Sequence, residues 1–309
     1  MTVSATAPEG TRAGWSTIGA YVALTKPRII ELLLVTTLPT MIVAKRGLPS
    51  IWLMVATLVG GTLAAGGANA INMVVDRDID KLMNRTKNRP LVTGAMSPRA
   101  ALVFALILEA AAFLELWLVV NLLSAVLAVS ATLFYVFVYT LWLKRRSAQN
   151  IVIGGAAGAV PVLVGWAAVT GRLAWAPVVL FAIIFIWTPP HFWSLAVRYK
   201  EDYAAADVPM LPVVASMKRT TREIVLYTVA LVAVSFLFGP VAHLGWIYFI
   251  TAALLGAGFL FFTVRLWGLG RHDRATGKDA MGVFSYSITY LTVLFVAMAG
   301  DVLITNHIH

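Results

Sequence analysis

The chain has 309 residues, of which 60% are hydrophobic and only 12% charged, against roughly a quarter charged in soluble domains. A water-soluble fold of this size has nowhere to hide that much apolar surface, so the bilayer is the expected solvent. Cysteine is absent, which removes disulfides, thiolate nucleophiles, iron–sulfur clusters and cysteine zinc sites.

Residues 1–26 are mixed and polar, without the apolar core of a signal peptide, and read as a cytoplasmic tail. From residue 27 to 305 the apolar residues come in blocks near the roughly 20 residues that cross a hydrocarbon core as a helix. Nine spans are predicted, at about Pro27–Ala44, Ile51–Val75, Ala100–Val120, Leu122–Leu143, Ile151–Thr170, Ala174–Val197, Ile224–Ala242, Leu244–Leu266 and Val283–Thr305. The stretch from Ala100 to Leu143 is too long for one crossing and is folded at Asn121 into a helical hairpin. Residues 306–309 form a short tail. The fold class is all-α and polytopic, around a central cavity.

Orientation follows from Lys and Arg. With a cytoplasmic N-terminus and nine alternating spans, only Lys45, Arg46 and Arg172 of the 24 basic residues fall on the far face. The formal net charge of +10 is then largely topological and calls for membrane lipid, not nucleic acid, as surroundings. A bacterial cytoplasmic membrane is the simplest address. Two loops on the basic face, Arg77–Arg99 and Arg198–Arg222, also carry ordered Asp, Asn, Tyr and Pro residues, as two half-sites over one cavity would.

Span two ends in Asn72-Met-Val-Val-Asp76-Arg-Asp-Ile-Asp80. Residues four apart share a helix face, so Asn72, Asp76 and Asp80 form one polar stripe while Asp78 points away. Like charges at this spacing repel by about 0.2–0.5 kcal/mol on an exposed helix, and carboxylates at a helix C-terminus oppose its dipole. A solvated helix end fits poorly, whereas a bound cation reverses both penalties. Mg²⁺ suits the site because it takes one or two carboxylates and completes its shell with water and substrate phosphates. Arg85, Lys87 and Arg89 follow, placed to hold the remaining phosphate charge.

The string Asn72, Asp76, Ile79, Asp80, Met83, Arg85, Thr86, Arg89 and Gly94 resembles the motif of the intramembrane UbiA-type prenyltransferase family. That family includes 4-hydroxybenzoate polyprenyltransferase and haem O synthase. Thr25-Lys26-Pro27-Arg28 is similar to the family's entry into span one. The resemblance implies a helical bundle open sideways to lipid and capped by loops. Where the family usually carries a second Asp pair, this sequence has Trp187-Thr-Pro-Pro-His191-Phe-Trp193, Tyr199-Lys200-Glu201-Asp202-Tyr203 and Val208-Pro-Met-Leu-Pro212. This departure, with Tyr139, Lys144-Arg145-Arg146 and Asn150 after span four, resembles the haem O synthase branch. Asp207 stands where many relatives have Gly.

The branch implies farnesyl transfer from farnesyl diphosphate to a vinyl group of haem B, followed by hydration. It also implies haem A synthase or terminal-oxidase assembly as later partners. In that reading Asn72, Asp76 and Asp80 hold Mg²⁺, while Tyr199, Lys200 and Asp202 replace the second carboxylate pair, Asp202 reaching a second Mg²⁺ and Lys200 neutralising the leaving diphosphate. Arg85, Lys87, Arg89, Lys144 and Arg145 bind the diphosphate, although a basic cluster at Lys144–Arg146 is also what topology requires. Tyr139, Tyr199 and His191 are acceptor-site candidates. The adjacent Pro189 and Pro190 are expected to break span six, leaving His191 to ligate iron, bond a propionate or cap freed carbonyls. Glu31 and Glu109 are membrane acids, functional candidates by default; Glu31 is placed to pair with Lys26 or Arg28. Polyprenyl transfer to an aromatic quinone precursor is the rival within the class. A cation-coupled transporter is the rival outside it, disfavoured because Asp76, Asp80 and Asp202 cluster at one interface instead of mid-bilayer.

Overall fold

The computed structural model describes residues 15–305, excepting the side chains of residues 28–34 within one helix. Arg28 and Glu31 therefore lie outside the described side chains. Every element is helical among the described residues. The last residues of the expected tail are a helix, α1 (Thr17–Thr25), capped by the Ser16 hydroxyl, which accepts from the Gly19 N–H at 3.1 Å. Lys26 then takes a left-handed conformation (φ 51°) and Pro27 starts α2 (Pro27–Lys45). Pro suits the first helical position because its missing N–H has no partner there anyway.

Long helices follow: α3 (Ile51–Val75), the single turn α4 (Arg77–Asp80), α5 (Pro98–Glu115, prolonged by π-helical Leu116–Val120) and α6 (Leu122–Leu133, prolonged by π-helical Phe134–Leu143). After them come α7 (Asn150–Thr170), α8 (Trp175–Arg198), short α9 (Lys200–Ala205) and α10 (Leu211–Val214), then α11 (Met217–Val241), α12 (Trp246–Gly270) and α13 (Gly277–Thr305). Among the described residues eight helices are long and apolar enough to cross a membrane, and α2 runs beside them.

The hairpin at Asn121 is built by one side chain. Asn121 is extended, its Oδ1 accepts from the Ser124 N–H at 2.9 Å, and its Nδ2 donates to the Ala167 carbonyl at 2.9 Å. One residue thus caps α6 and pins the hairpin to α7. Span six departs from expectation, because α8 runs unbroken through Pro189 and Pro190. The donors these prolines lack are tolerated where neighbouring helices and hydroxyls satisfy the backbone. Thr188 Oγ1 donates to the Ile184 carbonyl and Ser194 Oγ to that of Pro190, on either side of the Phe185 and Ile186 carbonyls whose i+4 residues are the prolines.

Helices α8, α11, α12 and α13 enclose the largest apolar core, including Trp193, Phe238, Phe259 and Tyr290. A second cluster joins α3, α5, α6 and α7. Helix α2 packs on both α7 and α13, bridging the two halves. Large apolar side chains such as Ile107, Leu118, Leu254 and Phe261 point outward, as a lipid-facing surface requires.

Candidate active site

Between α3, α6, α7 and α8 lies a cavity of about 400 Å³. Its walls are apolar and small: Gly61, Ala64, Ala65 and Ala68 from α3, Gly154, Gly155 and Gly158 from α7. Side chains this short leave open the space that a Leu or Phe would fill. Its loop end is lined by Lys26, Asn72, Asp80, Arg85, Arg89 and Lys144.

The acidic stripe forms through a bend. Helix α3 stops at Val75, Asp76 caps it through an N–H bond to the Asn72 carbonyl, and the Asp80 N–H bonds the Asp76 carbonyl at 2.9 Å. Asn72, Asp76 and Asp80 are 3%, 0% and 1% exposed, whereas the Asp78 side chain lies 60% exposed and takes a two-pronged bond from Arg145 at 2.6 and 2.7 Å. The Arg145 guanidinium holds the Asp78 carboxyl down at about 2.

Buried carboxylates require partners. Lys144 pairs with Asp76 Oδ2, which also accepts from Asn72 Nδ2 at 2.8 Å. Asn72 Oδ1 accepts from Lys26 Nζ at 2.9 Å, and Arg89 bonds Asp80 Oδ2 at 2.6 Å. Enclosure, then the charges of Arg89 and Lys144, pull the Lys26 ammonium down to about 7. Within this cluster Asp76 Oδ1 is buried with no hydrogen-bond partner, with Arg145 3.9 Å away.

Among the described residues no three His, Asp or Glu side chains group as a metal site. Two buried carboxylates with one oxygen unclaimed, beside an amide, are nevertheless the donor set that suits Mg²⁺, which draws its other ligands from water and phosphate.

The loops after α3 and α8 meet as the sequence suggested, packing Ile79, Met83, Tyr203, Val208 and Met210 into one cluster. Arg85 lines the cavity with its guanidinium 5.7 Å from the Tyr199 ring centroid and 6.0 Å from that of Tyr203. Both loops turn where L-residues rarely do: Gly94 has φ 76° and Asp207 φ 51°. The latter explains why Gly is expected at 207, since Gly alone enters that region without a steric cost.

Several candidates are placed elsewhere. Asp202 is not brought to Asp76 and Asp80; its oxygens are taken by Asn84 Nδ2 and the Arg85 N–H. Lys200 is exposed at the start of α9. Lys87 is exposed and bonded to Asn84 Oδ1 at 3.0 Å, and Arg145 faces Asp78. His191 lies behind the cavity wall, stacked 4.2 Å from Trp187 and 4.5 Å from Phe284, with Nδ1 2.7 Å from Ser287 Oγ.

Tyr139 does line the cavity, stacked on Tyr135 at 5.3 Å. Both sit on the π-helical part of α6, an irregular helix form frequent at functional sites. Lys26 is the cation that sequence reading passed over, although Thr25-Lys26-Pro27-Arg28 carried its signal. Among basic residues counted for topology, one more Lys at a helix start says little.

The model for the UbiA prenyltransferase family matches residues 33–300. The chain belongs to the UbiA prenyltransferase family. It is similar to the protoheme IX farnesyltransferase of Renibacterium salmoninarum, 55% identical over 282 residues covering 91% of this chain and 89% of that one. Among solved structures, one reported for digeranylgeranylglyceryl phosphate synthase has a TM-score of 0.75 at 18% identity, covering 93% of this chain and 98% of that one. A UbiA homologue from Archaeoglobus fulgidus, bound to DMAPP and Mg²⁺, has a TM-score of 0.63 at 17% identity, covering 92% and 99%. At such identities these structures share the UbiA fold and no more.

Proposed function

We propose that this UbiA-family chain transfers the farnesyl group of farnesyl diphosphate to a vinyl group of haem B, giving haem O, with Mg²⁺ as cofactor. The observation that carries the reaction class is Asp76: a buried carboxylate held on one oxygen by Asn72 and Lys144, which line the loop end of an apolar cavity, and without a hydrogen-bond donor on the other. The acceptor reading is supported by the Renibacterium relative's name at 55% identity, and the metal by the Archaeoglobus homologue described with Mg²⁺.

Asn72, Asp76 and Asp80 are the residues to hold Mg²⁺, which when bound supplies Lewis-acid stabilisation to the departing diphosphate. Lys26, Arg85, Arg89 and Lys144 offer charge-assisted hydrogen bonds to its oxygens. As negative charge moves onto the diphosphate, these donors are already in place, so little reorganisation is needed during the reaction. The allylic carbon faces the opposite demand. Tyr135, Tyr139 and Trp187 line the adjoining wall and offer aromatic faces to developing positive charge. The apolar walls exclude bulk water until the new carbon–carbon bond has formed.

The same reading places nine spans in a bacterial cell membrane, with the N-terminus and the diphosphate site on the cytoplasmic face. It passes the product on to haem A synthase or terminal-oxidase assembly. The test incubates purified protein with haem B, farnesyl diphosphate and Mg²⁺ and separates the haems by chromatography. A later-eluting haem that disappears with a chelator and returns with Mg²⁺ is expected. Unchanged haem B, with prenylation of an aromatic quinone precursor instead, overturns the acceptor.

A further inference from the structure

Glu109 lies in the membrane part of α5 and takes no part in the diphosphate site. Its Oε1 accepts a hydrogen bond from Thr132 Oγ1 at 3.2 Å, and Thr132 is itself 7% exposed and lines the cavity. Room for this pair is made by Gly67 on α3, where an added Cβ would stand 2.6 Å from Glu109 Oε1. The level is informative. Gly67 precedes Asn72 by five residues, about 7 Å along a helix rising 1.5 Å per residue. If diphosphate sits against Asn72, the carbon it leaves and the bond that forms there lie about one turn deeper, level with Thr132. A carboxylate inside the bilayer is costly to keep, and here it is hydrogen-bonded to the hydroxyl of a residue that lines the cavity.

We propose that the Thr132 hydroxyl, positioned and backed by Glu109, receives the proton released when water captures the farnesylated vinyl group. The inference rests on the haem acceptor proposed above. In that reaction the diphosphate departs with the carbon–oxygen bonding pair. The vinyl π pair forms the new carbon–carbon bond and leaves a cation on the vinyl carbon nearest the ring. A water oxygen lone pair closes on that cation, Thr132 accepts the surplus proton, and Thr132's own proton passes to the Glu109 carboxylate. Without the relay the cation loses a proton from its neighbouring carbon and becomes an alkene, a farnesyl haem lighter by one water.

The experiment is product analysis by mass spectrometry with the whole protein, haem B, farnesyl diphosphate and Mg²⁺. Glu109→Gln and Thr132→Val are expected to raise the ratio of dehydrated to hydrated farnesyl haem about tenfold or more, since a positioned base contributes at least that much. Thr132→Ser, which keeps the hydroxyl, is expected to keep the wild-type ratio, as is Glu115→Gln, which removes another acid of α5 outside this pair. An unchanged ratio in both Glu109→Gln and Thr132→Val overturns the relay, whether total turnover stays level or falls, because a packing role lowers both products alike. A wild-type protein that leaves haem B unmodified overturns the acceptor reading, and the relay with it.

Discussion

The Asp202 carboxylate accepts from the Arg85 N–H at 3.1 Å and from Asn84 Nδ2 at 3.3 Å, so one side chain after α8 fastens the loop that follows α3. This ties Arg85, which lines the cavity and lies over Tyr199 and Tyr203, to the second half of the molecule. Asp202→Ala is expected to raise KM for farnesyl diphosphate about tenfold through the loosened cap, about 1.4 kcal/mol and in the range of a lost charged hydrogen bond. Metal affinity, read from Mn²⁺ titration, is expected to stay within twofold. A selective loss of metal binding would instead mark Asp202 as the ligand of a second Mg²⁺.

The bundle was legible because lipid demands it: apolar blocks of span length have few other uses. Helix ends were less so. Helices α11 and α13 begin at Met217 and Gly277 instead of Ile224 and Val283, because the helix continues through Lys218, Arg219 and Lys278 after hydropathy has fallen. In the site, the Asn72–Asp80 spacing was readable since it is local to one helix. Asp202 was assigned by resemblance, and its bonds to Asn84 and Arg85 depend on how two distant loops meet, which spacing does not encode. Lys26 was hidden for the same reason: its contact with Asn72 spans 46 positions.

Asp76 and Lys144 allow structure and chemistry to be separated. Asp76→Asn is expected to abolish Mg²⁺-dependent transfer and, by leaving Lys144 uncompensated, to cost about 3 kcal/mol of stability. In the double variant Asp76→Asn/Lys144→Met the buried charge is gone. Thermal unfolding in detergent is expected to recover most of the loss while transfer stays absent. Recovery of transfer in the double variant would show that Asp76 serves only to neutralise Lys144.

Gly154 fixes the width of the cavity. A Cβ there would meet the Tyr139 ring closer than real side chains allow, and Tyr139 is stacked against Tyr135. The ring in Gly154→Ala must therefore shift, and with it a wall of the cavity. A fall in kcat/KM of about tenfold is expected, as for small displacements of positioning groups. Gly154→Ala combined with Tyr139→Leu, a slimmer and more flexible side chain, is expected to regain binding of farnesyl diphosphate.

Ser287 on α13 holds two side chains of α8 at once: its carbonyl accepts from Trp187 Nε1 at 2.8 Å and its hydroxyl meets His191 Nδ1 at 2.7 Å. Trp187 lines the cavity and His191 stacks behind it, 21° from parallel, with Phe284 on the ring as well. A histidine that must bind iron needs a nitrogen facing the acceptor; one that braces Trp187 needs only a flat ring. His191→Phe keeps the ring and is expected to retain haem transfer within about fivefold, the lost Ser287 bond being worth about 1 kcal/mol. His191→Ala removes the brace, and aromatic pairs contribute about 0.5–1.5 kcal/mol beyond their buried area, so a larger loss in kcat/KM for haem B is expected. Absorption spectra of haem-loaded protein decide between the roles. An iron ligand would make His191→Phe and His191→Ala alike in a shifted Soret band, whereas a brace leaves the Soret band of His191→Phe where the wild type has it.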